Sequence, residues 1–421
     1  MAEQVSSLKT GIKYIDTPIG KVPVDWKSGT FSEVAEINPK RNLRNGTIYP
    51  FVEMAAITSQ SHRVQYTKLR EFNGGGSKFQ NGDTLFARIT PCTENGKTAY
   101  VDFLNEDQFG HGSTEFIILG PKKGVDGKFI YYVAKWDKVR NIAVSKMEGT
   151  SGRQRVPSKV FIEDIFVPIP PFFEQRKIAD ILTMVDEAIE KTDQIIEKTK
   201  EVKKGLMQKL LTRGIGHKKF KKTNIGEIPE KWNTGKISDY GEIVTGNTPS
   251  TNVPEYYGNE YPFVSPFDLG SKKIIIKSQK YLSGKGLSVS RKVPPNSVLV
   301  VCIGSTIGKT GVAGRISATN QQINSIICKN NEYNFVYYYV TFISDKIRKL
   351  AGTQAVPIIN KGNFSMIRVA IPPIDEQKII GDILSSIDEE IEQESNHKEQ
   401  LESFKKGLMQ VLLTGKIRVS V

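Results

Sequence analysis

The sequence predicts an α+β protein that uses one plan twice. Two mixed α/β globular units are each followed by a long helix, in a pseudo-twofold internal repeat. Three observations predict it. The stretch Ile169 to Thr212 recurs as Ile371 to Thr414 at a constant offset of 202 residues and without a gap; a repeat of that length is a structural unit used twice. Both copies carry apolar residues at alternating steps of four and three, the seam of a coiled coil. The stretch ahead of each copy alternates strand-like runs, turns and aromatic helical runs, which fits a mixed unit of ordinary domain size.

The first unit begins behind a short lead that lacks the apolar core of a signal peptide. Thr17 to Trp26 then matches Thr223 to Trp232, and the two tryptophans are expected to anchor the start of each core. Gly82–Ile89 and Asn296–Ile303 read as strands after a turn. Each is followed by Gly-Lys-Thr, at Gly96-Lys97-Thr98 and Gly308-Lys309-Thr310, and then by small and β-branched residues. That order predicts a strand, a loop and a second strand. Aromatic helices are expected over Phe129–Val139 and Phe335–Ile347. Phe129, Tyr132, Val133 and Trp136 fall on one face, as core rather than as a platform for stacked bases. Between these matching parts, Asn42–Asn73 has no clear counterpart in Asn247–Lys285. The frame repeats while the intervening surfaces diverge.

Each long helix should begin after its proline pair, Pro170-Pro171 or Pro372-Pro373, because proline suits a helix entry and not its interior. Ile178, Leu182, Val185, Ile189, Thr192, Ile196 and Thr199 mark the first seam, continued by Leu206 and Leu210. Ile380, Leu384, Ile387, Ile391, Leu401, Leu408 and Leu412 mark the second. Thr192, Glu394 and Lys398 interrupt the middle, so the tightest packing is expected towards the ends. A helix of some forty residues would be roughly 60 Å long, more than one small domain can cover, so the two copies are expected to pack on each other. Gly205 and Gly407, inside the helices at equivalent places, suggest close backbone approach; Gly214 and Gly415 supply the stops. The expected division is a globular unit over 1–168, a helix over 169–214, linker and second unit over 215–370, and the second helix with a tail over 371–421.

The 421 residues carry a formal net charge of +14, which favours a polyanion, most commonly nucleic acid. Basic residues cluster at Lys40-Arg41 with Arg44, at Arg153 with Arg155, and over His217–Lys222. No apolar run is long enough to span a membrane. Cys92, Cys302 and Cys328 show no paired spacing, which points to a reduced cytoplasm. Catalytic motifs fall short. Gly304–Thr310 is one residue shorter than a phosphate-binding loop. Ile169-Pro170-Pro171-Phe172 lacks the Asn or Asp that an amino-methyltransferase needs there, and no glycine-rich turn for a methyl donor is evident. The four histidines have no metal-ligand spacing, and no nucleophile motif is present.

The P-P-x-x-E-Q entry to each helix, the K-K-G-L-M-Q-x-L-L-T exit, the I-G-x-[IV]-P-x-x-W opening and the duplicated layout together resemble the specificity subunit of type I restriction-modification enzymes, over nearly the whole chain. The resemblance implies two target recognition domains, each reading one half of a bipartite, asymmetric site on double-stranded DNA. It implies an antiparallel coiled coil that sets their spacing and docks two methyltransferase subunits, with restriction subunits joining the assembly. It implies no catalytic centre and no cofactor in this chain: S-adenosylmethionine belongs to the methyltransferase partner, ATP and Mg to the restriction partner. Arg suits guanine and Asn or Gln suits adenine. Candidate DNA contacts are therefore Arg88, Lys97, His111, Arg153, Gln154 and Arg155 in the first unit. In the second they are Lys309, Asn320, Gln321, Gln322, Gln354 and Lys361. The repeated polar residues Glu174, Gln175, Asp180, Lys203 and Lys204, with Glu376, Gln377, Asp382, Lys405 and Lys406, are candidate docking positions. The alternative is a self-contained DNA-binding regulator or adaptor without enzyme partners.

Overall fold

The computed structural model describes residues 13–352 and 356–419. The chain divides into two compact units, one running to Gln194 and resuming at Ser395, the other spanning Ile195–Glu394. Each long helix therefore contributes one stretch to each unit.

In unit 1, two four-stranded sheets are built from interleaved segments. One has the order Lys68–Glu71, Ile48–Val52, Phe109–Gly112, Ser77–Gln80; the other has Ala35–Ile37, Phe116–Pro121, Thr84–Ala87, Thr98–Tyr100. The buried strand Thr84–Ala87 pairs antiparallel with Thr98–Tyr100 across the loop that holds Gly96-Lys97. The aromatic stretch forms a helix over Gly127–Lys135 and a second over Asp137–Ser145, broken at Trp136, whose φ/ψ are extended. Phe129, Tyr132, Val133 and Trp136 are buried in the core with Trp26.

Unit 2 repeats this plan with one strand added. One sheet runs Lys280–Leu282, Tyr257–Val264, Ser317–Thr319, Lys292–Val293. The other runs Gly241–Thr245, Ile323–Cys328, Val298–Val301, Thr310–Ala313, and adds Ile274–Ile275 at its edge. The parallel pairing recurs too: His111 lies opposite Phe51 in unit 1, and Ala318 opposite Phe263 in unit 2. Residues 42–73 and 247–285 thus share a backbone course that their side chains do not reveal. Ladder hydrogen bonds join backbone groups and leave the outward residues free to differ.

The long helices span Phe172–Arg213 and Ile374–Leu412. A glycine in the left-handed region follows each, Gly214 (φ +61°) directly and Gly415 (φ +66°) after one further turn. A Cβ there would come within 2.8 Å of the Trp232 ring and 2.5 Å of Pro23, respectively, so any larger residue would have to displace those neighbours. Within unit 1 the helices run antiparallel. Lys405 pairs with Asp186 at 2.5 Å, and Lys398, a heptad earlier on the second helix, pairs with Asp193, a heptad later on the first. Within unit 2, Lys203 pairs with Asp388, the same contact with the helices exchanged. Ile178, Leu182, Ile189, Ile196 and Leu210 are buried, as are Ile380, Leu384 and Leu412. Ile387, Ile391, Leu401 and Leu408 are half-buried. One expectation is corrected. A Cβ at Gly205 or Gly407 would meet nothing within 4 Å; both glycines face open space, and no backbone approaches them.

Candidate nucleic-acid interface

The repeated polar residues of the helices fall into two sets. Most of one set is spent on holding each unit to its helices. The Gln175 amide donates to the Pro170 carbonyl at 2.9 Å and accepts from Asp126 N–H at 3.0 Å. Gln377 does the same with Pro372 and Glu332. Glu174 receives the Arg418 guanidinium, which also reaches Asp25 at 2.7 Å. Glu376 accepts from Trp232 Nε1 at 2.9 Å and from Ile215 N–H at 2.9 Å, and pairs with His217. Asp186 accepts from the Tyr132 phenol at 2.8 Å with Lys405 over the Tyr132 ring; Asp388 accepts from Tyr338 at 2.6 Å with Lys203 over the Tyr338 ring. Burial pushes both phenols upward, and the carboxylate each one faces adds to that.

The candidate docking residues sort by exposure. Glu174, Gln175, Glu376, Gln377, Lys203 and Lys405 make intramolecular contacts and offer little surface, because a repeat shows that a polar group recurs and not which way it points. Asp180, Lys204, Asp382 and Lys406 are exposed. Beside them stand Val202 and Phe404, equivalent large apolar residues that are 56% and 57% exposed. Their repetition at an offset of 202 was present in the sequence.

The DNA candidates are also sorted. Arg88, Gln154 and Arg155 come together at the open end of the Thr84–Ala87 strand, where Arg155 pairs with Glu115 through Nε at 2.9 Å and an outer nitrogen at 2.7 Å. The Arg155 guanidinium, with Arg88 behind it, holds the Glu115 carboxyl below the usual carboxylate range despite partial burial. A cleft of about 430 Å³ lies beside them, lined among others by Lys40, Arg41, Lys78, Arg88 and Thr114. Arg41 is tied to the buried Asp83 at 2.7 Å, so Lys40 and Arg88 are its freer cations. Arg153 is exposed on the adjoining loop; Lys97 is half-buried, its amine 3.4 Å from the Met54 carbonyl. His111 is packed among aromatic rings. It is buried under Tyr49, Phe51 and Phe72, and its Nε2 lies 3.2 Å from the Arg70 carbonyl. In unit 2, Asn320, Gln321 and Gln322 form one turn, and Lys309 and Lys361 are exposed. Gln354 lies outside the described residues.

Among the described residues, no group of three His, Cys, Asp or Glu is placed to hold a metal ion, and no helix is long and apolar enough to cross a membrane.

Comparison with known proteins agrees with this architecture. The family model described as the type I restriction modification DNA specificity domain matches residues 23–201 and 229–403. The putative type I restriction enzyme MjaX specificity subunit of Methanocaldococcus jannaschii is 29% identical, covering 96% of each chain. The HindI specificity subunit of Haemophilus influenzae is 23% identical over 93% of this chain and all of that one. Among solved structures, the type I restriction-modification S subunit of M. genitalium aligns with a TM-score of 0.58 over 97% of this chain and 98% of that one, at 13% identity. A chain from a type I R-M system solved for its complex assembly and conformational transition aligns with a TM-score of 0.58 at 20% identity, over 94% of this chain and 99% of that one. At such identities the structural likeness speaks for the fold alone. With its two matched segments making up most of its length, the chain belongs to the type I restriction-modification DNA specificity family.

Proposed function

We propose that this protein is the non-catalytic DNA-recognition subunit of a type I restriction-modification complex. Each globular unit reads one half of a bipartite, asymmetric site on double-stranded DNA. The helical pair serves as spacer and as docking surface for two methyltransferase subunits, and restriction subunits join the same assembly. S-adenosylmethionine is bound by the methyltransferase partner, ATP and Mg by the restriction partner.

The observation that carries this reading is one backbone frame built twice with different outward side chains. Two unlike reading heads on equivalent scaffolds suit an asymmetric site, as two like heads of a dimer suit a palindrome. The charge of +14 suits the phosphate backbone. Equivalent surfaces on the two helices suit two copies of one partner, and Asp180, Lys204, Val202 with Asp382, Lys406, Phe404 are the exposed residues there.

Deleting the gene and mapping methylated adenines across the genome tests the reading. One split, asymmetric motif is expected to lose its methylation; an unchanged methylome overturns it. A methyltransferase is expected to co-purify with the chain, whereas a self-contained regulator would purify without one.

A further inference from the structure

The two units can be placed in residue-by-residue correspondence through backbone hydrogen bonds alone. Arg88 N–H donates to the Glu115 carbonyl at 3.0 Å, and Cys302 N–H to the Gln322 carbonyl at 2.8 Å. The Arg88 carbonyl accepts from Val156 N–H at 2.8 Å, and that of Cys302 from Ile359 N–H at 2.9 Å. Ile89 bridges Arg155 as Ile303 bridges Ile358. Ser113 N–H donates to the Val52 carbonyl, and Asn320 N–H to that of Val264, both at 3.1 Å. Glu115 N–H reaches the Ser113 hydroxyl at 3.2 Å, and Gln322 N–H the Asn320 amide oxygen at 3.1 Å. The turns Ser113-Thr114-Glu115 and Asn320-Gln321-Gln322 are therefore one position of the frame, occupied twice.

Their side chains are of different kinds. Unit 1 gathers Arg88, Glu115 and Arg155 here; unit 2 has Cys302, Gln322 and Ile358. The skeleton closes in unit 2 with Cys302, Gln322 and Ile358 at these places, so the fold does not require the Arg155–Glu115 pair. Folding thus leaves these positions free to serve recognition. Glu115 grips Nε and one outer nitrogen of Arg155, which fixes the guanidinium plane and leaves the other outer nitrogen with only the Arg153 carbonyl at 3.5 Å. Arg88 lines the adjoining cleft, and its Nε is buried without a hydrogen-bond partner. In unit 2, Asn320 and Gln322 bond to each other at 2.9 Å, while Gln321 stands exposed, its amide oxygen accepting from the Thr248 hydroxyl at 2.7 Å.

We infer that the end of the frame around this turn reads a base edge in both units, with Arg88 and Arg155 fitting unit 1 to guanine and Gln321, which stands where unit 1 has Thr114, fitting unit 2 to adenine. A guanidinium fork matches O6 and N7 of guanine in the major groove, and a carboxamide matches N6 and N7 of adenine. Glu115 is the positioning residue for Arg155. The inference rests on the DNA-recognition reading above and adds which residues discriminate and for which base pair.

The test uses the full chain expressed with the methyltransferase that co-purifies with it, and maps methylated adenines by single-molecule sequencing. The double variant Arg88→Cys, Arg155→Ile, which installs the residues of unit 2, is expected to relax one G·C position in one half-site. Discrimination there should fall about five- to 150-fold, with the other half-site and the spacer unchanged. Gln321→Ala is expected to relax one A·T position in the opposite half-site only. Glu115→Gln should give a smaller loss at the G·C position that Arg155 reads. Wild-type discrimination at every position in the double variant, or methylation that falls equally on all sequences as loss of a phosphate contact would cause, overturns the inference. If the double variant does not fold, Arg155→Ile alone is judged by the same criteria, since that side chain is exposed. Failure of the DNA-recognition reading looks different: gene deletion itself would leave the methylome intact.

Discussion

At the scale of single residues, the junction between unit 1 and its helices turns on one buried carboxylate. Asp186 is 1% exposed and faces both the Tyr132 hydroxyl and the Lys405 amine. Removing it leaves a largely buried ammonium without its counter-charge, a loss of about 3–5 kcal/mol for pairs of this type. Asp193, exposed, pairs with Lys398 in the same register, but exposed pairs contribute about 0–1 kcal/mol. Asp186→Ala should therefore lower the unfolding free energy of unit 1 by several kcal/mol and Asp193→Ala by less than about 1, read from urea denaturation; equal effects would mean that burial does not set the strength of these pairs. The sequence displayed both aspartates alike, since the identity of a residue carries no record of its depth. A second residue gives a pH dependence. Burial, with Lys405 second, pushes the Lys135 amine down to about 7 from an unperturbed 10.5, although Asp186 opposes the shift. Between those values the unfolded chain binds more protons than the folded one, so this lysine makes stability rise with pH from about 7 to 10.5. The rise is at most about 1.4 kcal/mol per pH unit. Lys135→Met should remove it, seen as the difference between wild-type and variant urea midpoints across that range; a constant difference would place the amine in solvent.

At the scale of elements, the long helices were legible because their period, their proline entries and their glycine stops are local features. What was not legible was direction. Gly205 and Gly407 recur and were expected to mark close contact, yet each faces open space. A recurring glycine is the same letter whether it is squeezed or merely tolerated. The structure reverses the expected effect of substitution. Gly205→Ala and Gly407→Ala add a methyl group that meets nothing and remove a residue that weakens a helix interior, so each should stabilise by about 0.5–1 kcal/mol. A raised melting temperature for each single variant checks this, and a lowered one would show a contact absent from the folded chain. Leu384→Ala is the opposing control. That side chain is fully buried against the core of unit 2, and deleting it should cost about 2–5 kcal/mol. In the candidate reading position the same limit applied: Arg88, Arg155 and Gln321 were named from residue type, while Glu115 was missed because an acid carries no expectation of meeting DNA. Its part emerges only from two backbone hydrogen-bond patterns that coincide.

At the scale of the molecule, the repeat in the helices exposed the plan, and the sheets showed how far it extends. Residues 42–73 and 247–285 look unrelated as text yet follow the same strand order, since sheet ladders are written in backbone groups. The division between the units falls at Gln194 on one helix and Glu394 on the other, near the polar interruptions Thr192, Glu394 and Lys398 in the seam. That is where the proposed spacer role is most directly tested. Inserting one heptad after Gln194 and one after Glu394 keeps every apolar residue on its face and leaves both reading positions untouched. It lengthens each helix by roughly 10 Å, the axial rise of about three base pairs. The methylated motif is then expected to keep both half-sites while its spacer grows by about that amount. A changed half-site with an unchanged spacer would assign the measuring role to another part of the chain. Insertions of two or three residues on both helices rotate the seam out of register, and should cost stability in proportion to the apolar surface they expose.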